Sequence, residues 1–263
     1  MAQRFIDLSI PIENDVASDP PGSGPKVTYV GHQAGGLQLA QSFPGLEAKD
    51  LPRGEGWAIE YLQMHTHNGT HMDAPWHFHS RQDEALPGGG RRAQTIDELP
   101  LDWCFRPGVK LDFRGLADGQ VATAADVEAE LARIDHRLQP FDIVVVNTSA
   151  GLAYGQPHYV ATGCGMGREA TLYLASRGVK IVGIDGWSWD APFVHTNVRW
   201  QRDRDPSIIW EGHLAGREIG YFQMEKLHNL EALPSTGFQI ACFPIKIRAA
   251  SAGFVRAVGI VDE

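Results

Sequence analysis

Between His65 and His79 the chain reads HTHNGTHMDAPWHFH, and five of its eleven histidines fall within these fifteen residues. The skeleton of the stretch is His67, three residues, His71, one residue, Asp73, three residues, His77. Neutral imidazoles together with a carboxylate are the usual ligands of Zn and also serve Mn. A lone histidine is more simply read as part of a buried polar network or a solvated loop. Three histidines and an aspartate at short, fixed spacing instead predict a divalent metal site, Zn or Mn, holding one or two ions. Such an ion lowers the pKa of a water it binds from about 15.7 to about 7 and polarises a carbonyl, which is hydrolytic chemistry. No Gly-x-Ser-x-Gly elbow occurs to supply a serine nucleophile instead.

The elements around the stretch must bring those side chains together. Asn68-Gly69-Thr70 lies between His67 and His71, and Asn-Gly is a strong turn signal, with Pro75 soon after. The ligands are therefore expected on a curled turn, not along a helix face as in zinc metalloproteases. Residues 57–64 read as a strand feeding the turn, with Trp57, Ile59 and Tyr61 on one face and Glu60 on the other. Rigid sheet ends commonly carry functional loops.

Elsewhere, residues 4–11 and 26–30 read as strands, and the glycine-rich 31–56 as an irregular loop. A loop of that length, just upstream of the histidines, is a pocket lid, a partner contact or plain surface. The strongest helix signal covers 123–139, opened by Thr123 with Asp126 three residues on and closed by Pro140. Residues 142–146 (DIVVV) have the apolar run of a strand buried on both faces. A helix over 168–177 and a strand over 179–184 follow, and 109–113 precede as a strand. This βαβαβ rhythm predicts an α/β core with some parallel pairing. After it comes Asp185-Gly-Trp-Ser-Trp-Asp190, a turn at a strand end, where Asp185 either aims a ligand imidazole or caps the turn. Residues 222–233 read as a short helix, and 238–248 and 254–261 as closing strands, with Pro244 marking an edge or bulge.

The totals set outer limits. The chain has 263 residues and no internal repeat or linker, so 1–263 is expected to be a single domain. A net charge of −9 and the absence of a basic run argue against a nucleic-acid partner. No apolar run approaches the roughly 20 residues of a membrane span, and no signal peptide is visible, so a cytoplasmic protein is expected. Cys104, Cys164 and Cys242 are an odd, widely spaced set, read as small buried thiols rather than disulfides or a metal clip.

The stretch HNGTHMDAPWHF at 67–78 resembles HxGTHxDAPxHF, the signature of the cyclase-like metal-dependent hydrolase superfamily. That superfamily includes bacterial kynurenine formamidase, isatin hydrolase and a trans-dienelactone hydrolase. Asn68 stands where Thr or Ser is commoner. DLSIPI at 7–12, GVKIVGID at 178–185 and FPIKIRAASAGFVRAVGI at 243–260 extend the resemblance along most of the chain. The long insert before the signature, TIDELPLDWCF at 95–105 and EKLHNLEALP look closest to the isatin hydrolase branch. The resemblance implies a swivelling β/β/α fold, a mixed α/β sheet with strands at both termini. It implies His67, His71 and Asp73 as metal ligands, and His77 as catalytic base or as ligand to a second ion. His213 and Glu225, twelve residues apart, match a further His and Glu that complete the formamidase site, whereas a single Mn is the expectation in the isatin branch. The family also implies a homodimer or homotetramer.

Together these readings predict a hydrolase that opens a cyclic amide or lactone, or cleaves an N-formyl or aryl amide, of aromatic size. His77 would move the proton. Trp76, Phe78, Trp187, Trp189 and Phe193 are candidates to wall the substrate pocket, although Trp187 and Trp189 could equally be core. The alternatives are a metal-dependent cyclase or isomerase using His77 as acid/base, and a non-catalytic metal-binding protein.

Overall fold

Ile143–Asn147 carries an apolar run in which Ile143 and Val145 enter one core cluster and Val144 and Val146 the other. A strand with both faces buried must lie at the centre of a covered sheet. The structure, a computed structural model, describes residues 2–262 and places this strand fifth of nine in one mixed sheet. In chain order the strands are β1 (Gln3–Asp7), β2 (His71–Asp73), β3 (Phe105–Asp112), β4 (Ile143–Asn147) and β5 (Ile181–Ile184). They continue with β6 (Phe222–Glu225), β7 (Phe238–Ala241), β8 (Ala252–Phe254) and β9 (Val258–Asp262). Their spatial order is β1-β9-β7-β3-β4-β5-β6-β2-β8. The run from β3 to β6 is parallel, and the flanking pairs are antiparallel. Strands at both termini close the sheet, as expected.

Two helices cover one face. Helix α1 (His32–Gln41) belongs to an arm described below; α2 (Ala124–Arg133) and α3 (Arg168–Ser176) supply the crossovers into β4 and β5. Val127, Leu131, Ala170 and Leu174 of these helices fill the second core cluster. The Thr123–Asp126 capping box forms, with Asp126 Oδ2 accepting the Thr123 N–H at 2.7 Å. Helix α2 nevertheless stops well short of Pro140. Asp135 turns left-handed at φ 49°, and the His136 N–H bonds back to the Leu131 carbonyl at 3.0 Å, which is a Schellman ending.

Three local expectations are corrected. Residues 31–56 are not irregular throughout, because α1 occupies 32–41. Gly35 and Gly36 sit inside it because a Cβ at either would lie 1.8 Å from the Trp57 carbonyl or 2.2 Å from that of Gly54. They mark close packing of the following loop rather than a break. The strand expected over 57–64 spans Ile59–Gln63 and pairs only with Lys26–Val30, in a two-stranded ribbon outside the main sheet. Ribbon and α1 form an arm on which Tyr29, Leu37, Phe43, Trp57, Tyr61 and Leu62 are exposed. Finally, 222–233 opens as the strand β6, not a helix, since Met224 points into the core while Gln223 and Glu225 take the other face.

Candidate metal centre

The same alternation assembles the site. In β2, Met72 is core and His71 and Asp73 share the opposite face. Antiparallel register sets Gln223 opposite Asp73 and Glu225 opposite His71. On the other edge Ala252 and Phe254 of β8 meet Asp73 and His71. Four polar side chains thus stand together on a patch of buried sheet because two strands keep a period of two.

The turn before β2 delivers His67. Gly69 takes φ 62°, and a Cβ there would come within 3.0 Å of Ile12. Its carbonyl lies 2.9 Å from His71 Nδ1, so that nitrogen donates and Nε2 keeps a lone pair toward the site. His67 Nε2 lies 3.1 Å from Ser251 Oγ, leaving Nδ1 2.8 Å from Asp73 Oδ1. His71 Nε2 is 3.3 Å from the same oxygen and 3.6 Å from Glu225 Oε2. Yet His71 Nε2 and Asp73 Oδ1 are fully buried, and none of their contacts, the 2.8 Å approach of His67 Nδ1 included, has hydrogen-bond geometry. Buried polar atoms are nearly always partnered, and orphaned lone pairs converging on one point are what a cation satisfies. Two overlapping donor sets, His67–Asp73–His77 and His71–Asp73–Glu225, each with its nitrogen and oxygen atoms within 4.8 Å of one another, fit a divalent ion.

His77 follows on the one-turn helix Pro75–Phe78, opened by Pro75. Its ring stands 4.0 Å from that of His67 and 5.1 Å from that of Trp210, with Nε2 4.0 Å from Asp73 Oδ2. Burial pushes its pKa down to about 4 despite the nearby Asp73 carboxylate, so the ring is neutral at pH 7. In His71, burial presses downward, but the Asp73 and Glu225 carboxylates more than offset it and raise the pKa. Burial alone would raise Asp73, yet the surrounding imidazoles hold its carboxyl well below the usual range.

His213 comes from another one-turn helix, Glu211–Leu214, and is buried. Asp190 aims it: Asp190 Oδ2 lies 2.5 Å from His213 Nδ1 and accepts the His213 backbone N–H at 3.0 Å, while Oδ1 accepts from Gly212 N at 2.7 Å. Against its burial, Asp190 and Glu225 draw the imidazole up to about 10. The Nδ1 proton points at Asp190. Gln223 Nε2 lies 2.7 Å from His213 Nε2. The same amide nitrogen lies 2.8 Å from Glu225 Oε1 and 3.2 Å from Asp73 Oδ2.

These groups open onto a cavity of about 300 Å³ lined by His65, His67, His77, His213 and Glu225, by Trp187, Phe193 and Trp210, and by Asp19, Pro20 and Ser23. Of the aromatic candidates, Trp187 and Phe193 line it. Trp189 is wholly buried, its indole N–H donating to Thr171 Oγ at 2.9 Å, so it is core. Phe78 is also buried, stacked on Tyr221 and edge-on to His213, and so backs the imidazole instead of facing the cavity. Trp76 is half exposed and lines no part of it. Asp185 aims no imidazole; its carboxyl group accepts from Thr148 N and Oγ, the latter at 2.6 Å. Sequence reasoning missed Asp190, Gln223 and Trp210. Gln223 could have been found by reading 222–225 with strand periodicity.

Comparison with known proteins follows the same lines. The model of the Cyclase family matches residues 6–191. A kynurenine formamidase from Salinibacter ruber (strain DSM 13855 / M31) is 28% identical over 200 residues, covering 75% of this chain and 77% of the relative. A crystal structure of an isatin hydrolase bound to the product analogue thioisatinate superposes with a TM-score of 0.75 at 17% identity, over 99% of this chain and 93% of that one. Isatin hydrolase A from Labrenzia aggregata, bound to benzyl benzoate, gives 0.72 at 20% identity, over 99% and 94%. At such identities the two superpositions establish a shared fold.

Proposed function

The chain belongs to the Cyclase family, and on that premise we propose that it is a metal-dependent hydrolase that opens a cyclic amide or lactone, or cleaves an N-formyl or aryl amide. The observation that carries this reading is the convergence of His67 Nδ1, His71 Nε2 and Asp73 Oδ1 with two of the three buried and unpartnered. His67, His71 and Asp73 would hold the ion, Zn or Mn. When bound, it supplies a Lewis acid and makes hydroxide available near neutral pH.

The chain's own groups do the rest. His77 makes no side-chain hydrogen bond among the described residues, is neutral at pH 7 and borders the cavity, so it can take the proton of the attacking water and return it to the leaving nitrogen or oxygen. Trp187, Phe193 and Trp210 give an aromatic ring three apolar walls, which supports a substrate of aromatic size. His213 and Glu225, with Gln223 between them, border the same space.

One ion rather than two is the reading Gln223 supports. Its amide nitrogen stands among His213 Nε2, Glu225 Oε1 and Asp73 Oδ2, where a second cation would otherwise have its donors. His213 and Glu225 then orient and enclose rather than ligate a second ion. The exposed aromatic and aliphatic side chains of the arm support a homodimer or homotetramer, which light scattering would test. No helix among the described residues is long and apolar enough to cross a membrane.

The test is hydrolysis of isatin, N-formylkynurenine and an aromatic lactone by metal-replete protein, with product mass read out. Gain of one water on any of them supports the reading. Loss of water would favour a cyclase, and inertness on all three would remove the hydrolase reading.

A further inference from the structure

Lys226 is 1% exposed and follows Glu225 directly. Its ammonium group donates to the carbonyl of His67 at 2.9 Å and pairs with the carboxylate of Asp19. Its own carbonyl accepts from Thr70 Oγ at 2.6 Å, and that oxygen accepts the Ile10 N–H at 2.9 Å. One residue therefore grips the histidine turn on both sides of Asn68-Gly69. To do so it takes φ 57°, a conformation that a lysine holds only where its surroundings impose it. The Lys226 N–H, bonded to the Gly186 carbonyl at 3.0 Å, helps fix it there.

Asp19 belongs to the strap 18–25, whose Asp19, Pro20 and Ser23 line the cavity. Two further bonds steady this strap. Ser18 Oγ donates to Asp19 Oδ2 at 2.8 Å, and Asn68 Nδ2 donates to the Ser23 carbonyl at 2.8 Å. A buried ammonium needs a counter-charge, and here the counter-charge is also a wall of the cavity.

We propose that Asp19 and Lys226 are a positioning pair that couples the cavity wall to the aim of the His67 ring. Lys226 sets the His67 carbonyl and hence the direction of its imidazole; Asp19 neutralises Lys226 and fastens the strap over the site. Stability alone does not account for the pair, since buried ion pairs are often replaceable by apolar side chains without loss. The inference rests on the reading of His67 as a metal ligand.

The test measures Zn²⁺ affinity by competition with a chromophoric chelator, the visible spectrum of Co²⁺-loaded protein, and cleavage within 18–25 by a non-specific protease. The variants are Lys226→Met, Asp19→Asn and the double substitution. Lys110→Met is the control, a buried lysine whose ammonium donates, among the described residues, only to the Leu230 and Leu233 carbonyls. Lys226→Met should weaken Zn²⁺ binding about 10- to 100-fold and shift the Co²⁺ bands, as loss of a partner that orients a ligand does. Asp19→Asn should speed cleavage of the strap, and Lys110→Met should leave Zn²⁺ binding intact. If Lys226→Met does not fold, the double variant, which leaves no unpaired charge, carries the same expectation. Zn²⁺ affinity within about twofold of wild type and unshifted Co²⁺ bands in the Lys226 variants would overturn the pair. So would an equal loss in Lys110→Met. Wild-type protein that takes up no Zn²⁺ overturns the metal reading and the pair with it; normal wild-type uptake with unaltered variants overturns the pair alone.

Discussion

Replacing Asp190 with Asn separates a structural role of His213 from a functional one. The Asp190 carboxylate receives three N–H groups, at 2.7 Å from Gly212 N, 3.0 Å from His213 N and 2.5 Å from His213 Nδ1. Asparagine has the same shape but one oxygen, so its amide group must face at least one of those donors. A hydrogen bond to a charged group contributes about 1.5–3 kcal/mol, and a buried donor left unpaired costs about 1–3 kcal/mol. The two are not fully additive, and a stability loss of about 2–4 kcal/mol is expected. At about 2–4 °C per kcal/mol for chains near this size, Tm should fall by roughly 4–16 °C. If His213 also serves the site, loss of the group that fixes its Nδ1 proton should lower kcat/KM about 10- to 100-fold, well below the Tm of the variant. Calorimetry and initial rates on a common substrate read the two effects separately. A variant that loses the expected Tm yet keeps kcat/KM within about twofold would refute a role for His213 in turnover.

Other substitutions probe the remaining assignments. His77→Ala should lower kcat by about 10²- to 10⁴-fold while metal content stays at the wild-type level; loss of the metal would instead make His77 a ligand. Gln223→Ala should open the space among His213, Glu225 and Asp73 and raise metal uptake from one equivalent toward two, read by mass spectrometry; unchanged uptake would show that Gln223 does not set the stoichiometry. Asp185 is held by burial at about 8, above its ordinary 3.8, although Thr148 donors oppose the shift. The folded state therefore binds the extra proton. This stability is complete below about 4 and is lost as pH rises through about 8, and Asp185→Asn should flatten that slope in Tm against pH. An identical slope in the variant would remove Asp185 as its source.

Much of the site was legible because its candidate ligands lie within seven residues of one another on a turn and the strand it opens. His67, His71, Asp73 and His77 need only the Asn-Gly turn and strand alternation to converge. The central strand and the Thr123 cap were legible for similar reasons, one from an unbroken apolar run, the other from a three-residue spacing. His213 and Glu225 entered through family resemblance, since nothing local ties a one-turn helix to a strand across the sheet. Asp190 was hidden in a turn where Asp185 looked as well placed, and only the packing of Glu211–Leu214 beside it decides between them. Helix α1 was masked by Gly35 and Gly36, whose low helix propensity is overridden by the close approach of the Trp57 and Gly54 carbonyls. Residues 222–225 read as helix because EKLHNLEAL looks helical, while the parallel pairing with β5 that fixes a strand is non-local.

Metal content of the purified chain, measured by mass spectrometry with hydrolysis of the three substrates before and after chelation, tests the central claim most directly. One equivalent of Zn or Mn, with activity lost on chelation and restored by that metal, is the predicted result. A chain that binds neither metal when supplied, or that hydrolyses its substrate undiminished after chelation, would contradict it.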